Sequence, residues 1–128
     1  MIWLGRKLRV IFEVYKGNPS TVFNDLRNYL VKNGYTIIET KEPTKIVAKA
    51  GSKFMTYVIG TKRWEKAIRT AYITIKRIHK KLIEVDILWE VSWLSSIISM
   101  SRAARFEVKA IAKAIGGKVR GYIRVPAF

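Results

Sequence analysis

The clearest pattern of apolar and polar positions is helical and covers residues 97–115. At about 100° per residue, one side of such a helix collects only apolar residues, which are Ile97, Met100, Ala104, Val108, Ile111 and Ile115. The opposite side carries a row of cations that we term the helix stripe: Arg102, Arg105, Lys109 and Lys113. Phe106 lies inside this stripe. Ser95 or Ser96 can cap the start, and Gly116 can end the helix in the left-handed conformation. The pattern predicts a long C-terminal helix with one face on the core and one basic face.

Other segments alternate with the period of two that is typical of half-buried strands. In residues 82–91, Ile83, Val85 and Ile87 fall on one face, and the acidic residues Glu84, Asp86 and Glu90 fall on the other. Residues 67–78 alternate in the same way, so the short basic turn at 79–81 predicts a hairpin. Further strands are predicted at 8–15, 35–41, 45–50 and 54–59. A helix is predicted between Pro19 and Asn33, with Val22, Phe23, Leu26, Tyr29 and Leu30 on its buried side.

These elements predict one domain over residues 1–128, of the α+β class, with a mostly antiparallel sheet covered by two helices. The predicted order is β-α-β-β-β-β-β-α, followed by a short basic segment, 118–128, that is either an edge strand or an extended tail. Over residues 8–116 this order resembles a reduced form of the helix-grip arrangement of the START and Bet v 1-like superfamily. There, a curved antiparallel sheet wraps the long C-terminal helix. The resemblance implies a space between sheet and helix that holds an apolar ligand.

Composition restricts the chemistry that the chain can carry. It has no cysteine and a single histidine, His79, which excludes disulfides, thiolate metal sites and most Ser-His or Cys-His catalysis. Cross-strand charge pairing explains the acidic trio Glu84, Asp86 and Glu90 more simply than a metal or acid–base site. We therefore expect no enzyme activity, no metal and no cofactor. The amino terminus does not resemble a signal peptide, and no apolar run reaches the roughly 18 residues of a membrane span, so we expect a soluble cytoplasmic protein. The absence of glutamine is typical of hyperthermophile proteins.

The net charge is the strongest indication of function in the composition. Lys and Arg number 25 against 9 Asp and Glu, which gives a formal charge of +16. A field of that size attracts polyanions, with nucleic acid the commonest partner and an anionic membrane surface the second. Besides the helix stripe, the cations form three groups. These are the hairpin turn (Lys76, Arg77, Lys80 and Lys81), the tail (Lys118, Arg120 and Arg124) and a loop (Lys62, Arg63 and Lys66).

Aromatic residues lie among these cations. Trp64 follows Arg63, Phe106 follows Arg105, and Tyr122 lies between Arg120 and Arg124. Trp64 and Phe106 suit base stacking and ordinary packing equally, whereas packing is the better interpretation for Tyr122. Because bases stack on exposed rings, RNA is favoured over DNA as the partner. The sequence predicts a phosphate- and shape-directed nucleic-acid-binding protein, as a component or accessory of a ribonucleoprotein such as a ribosome. The alternative is a helix-grip domain that binds a small apolar ligand or lipid, in association with a membrane surface. The oligomeric state is not predicted.

Overall fold

The computed structural model describes residues 5–51, 68–92 and 104–125. Within these ranges, six strands form one antiparallel sheet and two helices accompany it. The elements are β1 (Gly5–Val14), α1 (Pro19–Lys32), β2 (Thr36–Lys41), β3 (Lys45–Ala50), β4 (Arg69–His79), β5 (Leu82–Ser92), α2 (Arg105–Ile115) and β6 (Gly117–Val125). The strand order in the sheet is β2-β3-β4-β5-β1-β6. The predicted α+β class, the antiparallel sheet and the order of elements are confirmed. The predicted strand at 54–59 lies outside the described residues.

Both ends of α1 follow from local sequence. At its start, the side chain of Asn18 accepts a hydrogen bond from the Thr21 backbone N–H at 2.9 Å, and Pro19 supplies the first helical residue. At its end, Gly34 takes a φ of +85°, and the Tyr35 N–H donates to the Leu30 carbonyl at 2.9 Å. This is a Schellman turn, which satisfies a carbonyl that the helix leaves without a partner. The turn also directs Tyr35 back into the core.

One face of the sheet is apolar and the other is polar, as the alternation predicts. On β5, Ile83, Val85, Ile87 and Trp89 are buried, while Glu84, Asp86 and Glu90 lie on the opposite face. The buried face forms one cluster with Val22, Phe23, Leu26 and Leu30 of α1 and with Val108, Ile111 and Ile115 of α2. Phe12, Phe23 and Trp89 are among the largest fully buried side chains. Roughly 1.5–3 kcal/mol per large apolar side chain is the usual gain from such burial.

The two helices lie over different parts of the sheet. α1 contacts β2, β3 and β4, whereas α2 contacts β1 and β6, and the helices also contact each other. α2 ends at Gly116, whose φ of +65° is the predicted left-handed cap. The helix predicted over residues 97–115 begins later, at Arg105, with Ala104 and not Ser95 or Ser96 as the N-cap of α2. Residues 97–103 lie outside the described residues. The segment after α2 is an edge strand, since β6 pairs with β1 at the end of the sheet order. Neither described helix is long and apolar enough to cross a membrane.

Candidate nucleic-acid interface

The described part of the helix stripe lies on the surface of α2. Arg105, Lys109 and Lys113 are all exposed, and Phe106 is 85% exposed. On the other side of the helix, Ala104, Val108 and Ile111 are completely buried. The two faces predicted from the helical period are therefore correct wherever the structure describes them. Arg102 lies outside the described residues.

The orientation of α2 about its own axis places the helix stripe on the side of the helix towards β6. Glu107 lies on the flank of α2 that faces α1, because it accepts a hydrogen bond from the Tyr29 hydroxyl at 3.0 Å. At about 100° per residue, Arg105 and Lys109 fall on the other flank. That flank lies on the side of α2 away from α1, where the helix contacts β6. The helix stripe therefore lies beside β6. The cations Lys118 and Arg120 of that strand lie on the polar face of the sheet, because Lys118 pairs with Glu13 and Arg120 contacts Glu84.

Strand register brings the hairpin turn to the same end of the sheet as the start of β6. Val14 of β1 pairs with Ile83 on one side and with Gly117 on the other. The turn at Lys80 and Lys81 and the junction between α2 and β6 consequently lie at one end. The exposed cations at this end include Lys76, Arg77, Lys80, Lys81, Lys113 and Lys118. We term the helix stripe together with these residues the basic surface. Because Lys76 and Lys118 lie on the polar face of the sheet, this surface extends from α2 around the end of the sheet.

Some of the candidate cations are engaged within the protein. Arg120 contacts Glu84 through Nη1 and Oε2 at 3.1 Å, so part of its charge is neutralised locally. Arg77 donates from Nη1 to the Lys80 carbonyl at 2.7 Å, which holds its side chain across the hairpin turn. Lys62, Arg63 and Trp64 lie outside the described residues, and so does the side chain of Arg124. The arrangement of these four side chains stays a prediction.

The acidic trio on the polar face takes part in cross-strand ion pairs. Arg9 Nε lies 3.3 Å from Asp86 Oδ1, and Lys7 Nζ lies 3.9 Å from Glu90 Oε1. Glu84 contacts Arg120. These partners come from β1 and β6, rather than from β4, the strand that pairs with β5 in the predicted hairpin. Charge pairing, the simpler interpretation of the trio, is therefore what the structure shows.

The polar face also forms a shallow concavity of about 320 Å³. Its lining residues are Arg9, Tyr72, Thr74, Asp86, Leu88 and Glu90. Partial burial raises the pKa of Asp86 above its usual value, although the neighbouring Arg9 guanidinium acts in the opposite direction. Within residues 5–51, 68–92 and 104–125, no three His, Asp or Glu side chains come close enough together to hold a metal ion.

A buried polar cluster lies between α2 and the sheet, and the sequence patterns did not predict it. Glu107 is 9% exposed and Arg69 is 4% exposed. Glu107 Oε1 lies 3.2 Å from Arg69 Nε and accepts a hydrogen bond from the Tyr35 hydroxyl at 2.7 Å. The Trp89 indole N–H donates to the same hydroxyl at 3.2 Å. The Arg69 guanidinium also lies over the Tyr35 ring, 4.9 Å from its centroid. We term these residues, together with Tyr29, the Glu107 cluster.

Burial sets the protonation of the Glu107 cluster. It is the main cause that raises the pKa of Tyr29 and Tyr35, and the carboxylate of Glu107 raises both further. Both hydroxyls therefore stay protonated and donate to the carboxylate. Burial would lower the pKa of Arg69, but interactions with Tyr35 and Glu107 outweigh it and raise that pKa. A charged pair surrounded by fixed hydroxyl donors holds α2 to α1 and to β4, and it offers no exposed reactive group.

Glu107 could have been singled out from the sequence. It is the only acidic residue after Glu90 and it interrupts an otherwise basic helix. On a helical wheel it falls beside the apolar face, three residues after Ala104 and four before Ile111. An isolated carboxylate at the border of an apolar face indicates a buried partner. Which partners it meets depends on the sheet order, which no local pattern reveals.

The chain matches no protein-family model, and a comparison with curated proteins finds no match either. The functional argument accordingly depends on the surface and the core of this chain.

Proposed function

We propose that the protein binds nucleic acid through the basic surface, and RNA in preference to DNA, by contacts to backbone phosphates. The observation that carries the proposal is the outward side of α2, where Arg105, Lys109 and Lys113 are exposed in a row. The carboxylate of α2, Glu107, is buried on the other flank and does not weaken this field. A charge of +16 adds self-repulsion that a polyanionic partner would relieve.

The proposal includes residues beyond the described ranges. Arg102, three residues before the start of α2 at Arg105, adds a further charge to the same partner. Lys62, Arg63, Trp64 and Arg124 add charge and a ring to the same partner. No sequence-specific recognition motif accompanies the cations, so we expect shape and phosphate spacing to guide binding. A place within a larger ribonucleoprotein, such as a ribosome, fits a small domain of this kind.

The packing of the core supports this proposal over the alternative of an apolar-ligand or lipid-binding helix-grip domain. A ligand domain needs an open space of roughly 300 Å³ or more between sheet and helices. Phe12, Phe23 and Trp89 occupy that region in the described residues, and each is at most 1% exposed. The concavity of about 320 Å³ lies on the opposite, polar face of the sheet. Another, of about 330 Å³, is lined by residues in and beside β2 and β3, among them Ile38, Ala50 and Ile68, and no residue of α2 is among its described lining.

A salt titration of binding to mixed-sequence RNA tests the proposal. The test variant reverses the exposed stripe: Arg105→Glu, Lys109→Glu and Lys113→Glu. The control variant reverses three exposed cations elsewhere, at Arg27, Lys41 and Lys49, and changes the net charge equally. For the parent, log Kobs should fall linearly with log salt concentration, and the stripe variant should lose about two to three units of that slope.

The control variant separates a local interface from a general field. We expect it to keep most of the parent affinity, since its cations lie outside the basic surface. If both variants weaken RNA binding equally, the helix stripe is not the interface. If the parent binds anionic vesicles and no nucleic acid, the membrane-surface alternative replaces this proposal.

A further inference from the structure

Phe106 is the most exposed large apolar side chain among the described residues, at 85%. It lies in the first turn of α2, and Lys109 and Ala110 are its neighbours three and four residues along the same helix surface. An exposed ring contributes little to folding, because the usual gain of roughly 1.5–3 kcal/mol requires burial. The packing interpretation of this residue therefore fails within the described structure. Its exposure leaves the ring available to a partner.

The ring has cations on its own helix surface. Arg105 precedes it in the chain, and Lys109 and Lys113 follow it towards the end of α2, all of them exposed. Residues four apart on a helix are separated by about 6 Å along the axis, a spacing of the same order as consecutive phosphates in an extended polynucleotide strand. A partner for this surface must present repeated negative charge and a flat apolar face together.

We propose that Phe106 is a stacking platform for a base of a single-stranded polynucleotide, whose phosphates lie along Arg105, Lys109 and Lys113. This inference rests on the proposed function and narrows it to unpaired strands. A single strand presents both phosphates and accessible base faces, whereas a duplex hides its base faces inside the stack. An acidic peptide matches the charge but supplies no regularly repeated ring. Tyr122, 41% exposed on the neighbouring strand β6, offers a second ring on the same side of the molecule.

Binding of the 128-residue chain to three matched nucleic acids tests the inference. These are an intact single strand, an abasic strand with the same number of phosphates, and the duplex, each prepared as RNA and as DNA. The variants are Phe106→Ala, Phe106→Tyr as the conservative aromatic replacement, and Val31→Ala as a control at an apolar residue of α1 that is 58% exposed. All titrations are performed at one fixed salt concentration.

We expect Phe106→Ala to weaken binding of the intact strand by about 5-fold to 150-fold, the range of one base–aromatic stack. Its effect on the abasic strand and on the duplex should be several times smaller. Phe106→Tyr should restore intact-strand binding, and Val31→Ala should leave it unchanged. Equal losses in RNA and DNA strands identify the base face, which both strands share, as the contact of the ring.

Three results would overturn the inference. Equal weakening of intact and abasic strands by Phe106→Ala excludes stacking. An unchanged affinity for the intact strand excludes any contact by the ring. A loss of self-association or of vesicle attachment, with strand binding intact, assigns Phe106 to another partner. In each case, the charge-reversal titration still decides the proposed function independently, because it does not involve the ring.

Discussion

Removal of the Glu107 carboxylate should destabilise the fold strongly, because it breaks a buried pair with Arg69. Glu107 accepts hydrogen bonds from the hydroxyls of Tyr29 and Tyr35 and contacts Arg69 at 3.2 Å. In the variant Glu107→Leu, Arg69 stays buried at 4% exposed and loses the carboxylate that lies 3.2 Å from its Nε. Breaking a buried pair in this way costs about 3–5 kcal/mol. At about 4 °C per kcal/mol for a chain of this size, Tm should fall by about 12–20 °C.

The assay is urea and thermal unfolding followed by far-UV circular dichroism at neutral pH. Glu107→Gln keeps the shape of the side chain and one acceptor oxygen, so its free energy of unfolding should lie between those of the parent and of Glu107→Leu. The matched control is Glu90→Gln, which breaks an exposed pair with Lys7 at 3.9 Å and should cost less than about 1 kcal/mol.

The double variant Glu107→Leu with Arg69→Met tests the pair as a unit. If the two groups balance each other, the double variant should be clearly more stable than the sum of the single losses implies. Should Glu107→Leu unfold within 1 kcal/mol of the parent, or should the two losses simply add, the Glu107 cluster does not hold α2 in place.

Three further predictions concern the fold. Val108→Asp should cost at least about 4 kcal/mol in urea unfolding, because it buries a charge, whereas Ala110→Asp on the exposed side should cost under about 0.5 kcal/mol. Stability should fall as pH rises above about 10, because tyrosine ionises there in the unfolded chain, whereas folded Tyr35, with its raised pKa, stays protonated. In Tyr35→Phe, urea midpoints measured between pH 9 and 11 should fall less steeply than in the parent. Gly117→Ala should lower Tm, since its Cβ would lie 2.9 Å from a β1 carbonyl oxygen, whereas Gly121→Ala meets nothing within 4 Å and should leave Tm unchanged.

Periodicity was sufficient to predict the faces of the long elements. Val108 and Ile111 are buried, and Lys109 and Lys113 are exposed, because a helix that packs on a core must place its apolar residues on one side. The same reasoning holds for β4 and β5. Because their residues alternate, the apolar ones must all lie on the face that packs on the core. Such patterns are local and need no knowledge of strand order.

The Glu107 cluster could not be predicted as a unit, for a physical reason. Its members come from α1, the turn before β2, β4, β5 and α2, and each has a polar group that is ordinary in its own segment. They meet because β4 and β5 adjoin and α2 lies beside α1. The ion-pair partners of Asp86 and Glu90 were missed similarly, since they depend on β1 lying next to β5. Convergence of this kind is a property of topology, which hydrophobic spacing does not encode.

The position of β1 in the sheet has a consequence for how the chain reaches its native state. β1 begins at Gly5, yet its two neighbours, β5 and β6, begin at Leu82 and Gly117. Backbone groups on both sides of β1 therefore find their partners only after most of the chain is available, and the loops that must close are long. Folding of this kind is slow compared with that of a helical bundle of equal size. During synthesis on a ribosome, β1 and α1 should emerge early, and β1 should stay unpaired until β5 and β6 follow. The pairing of β1 with these strands should be one of the last folding events.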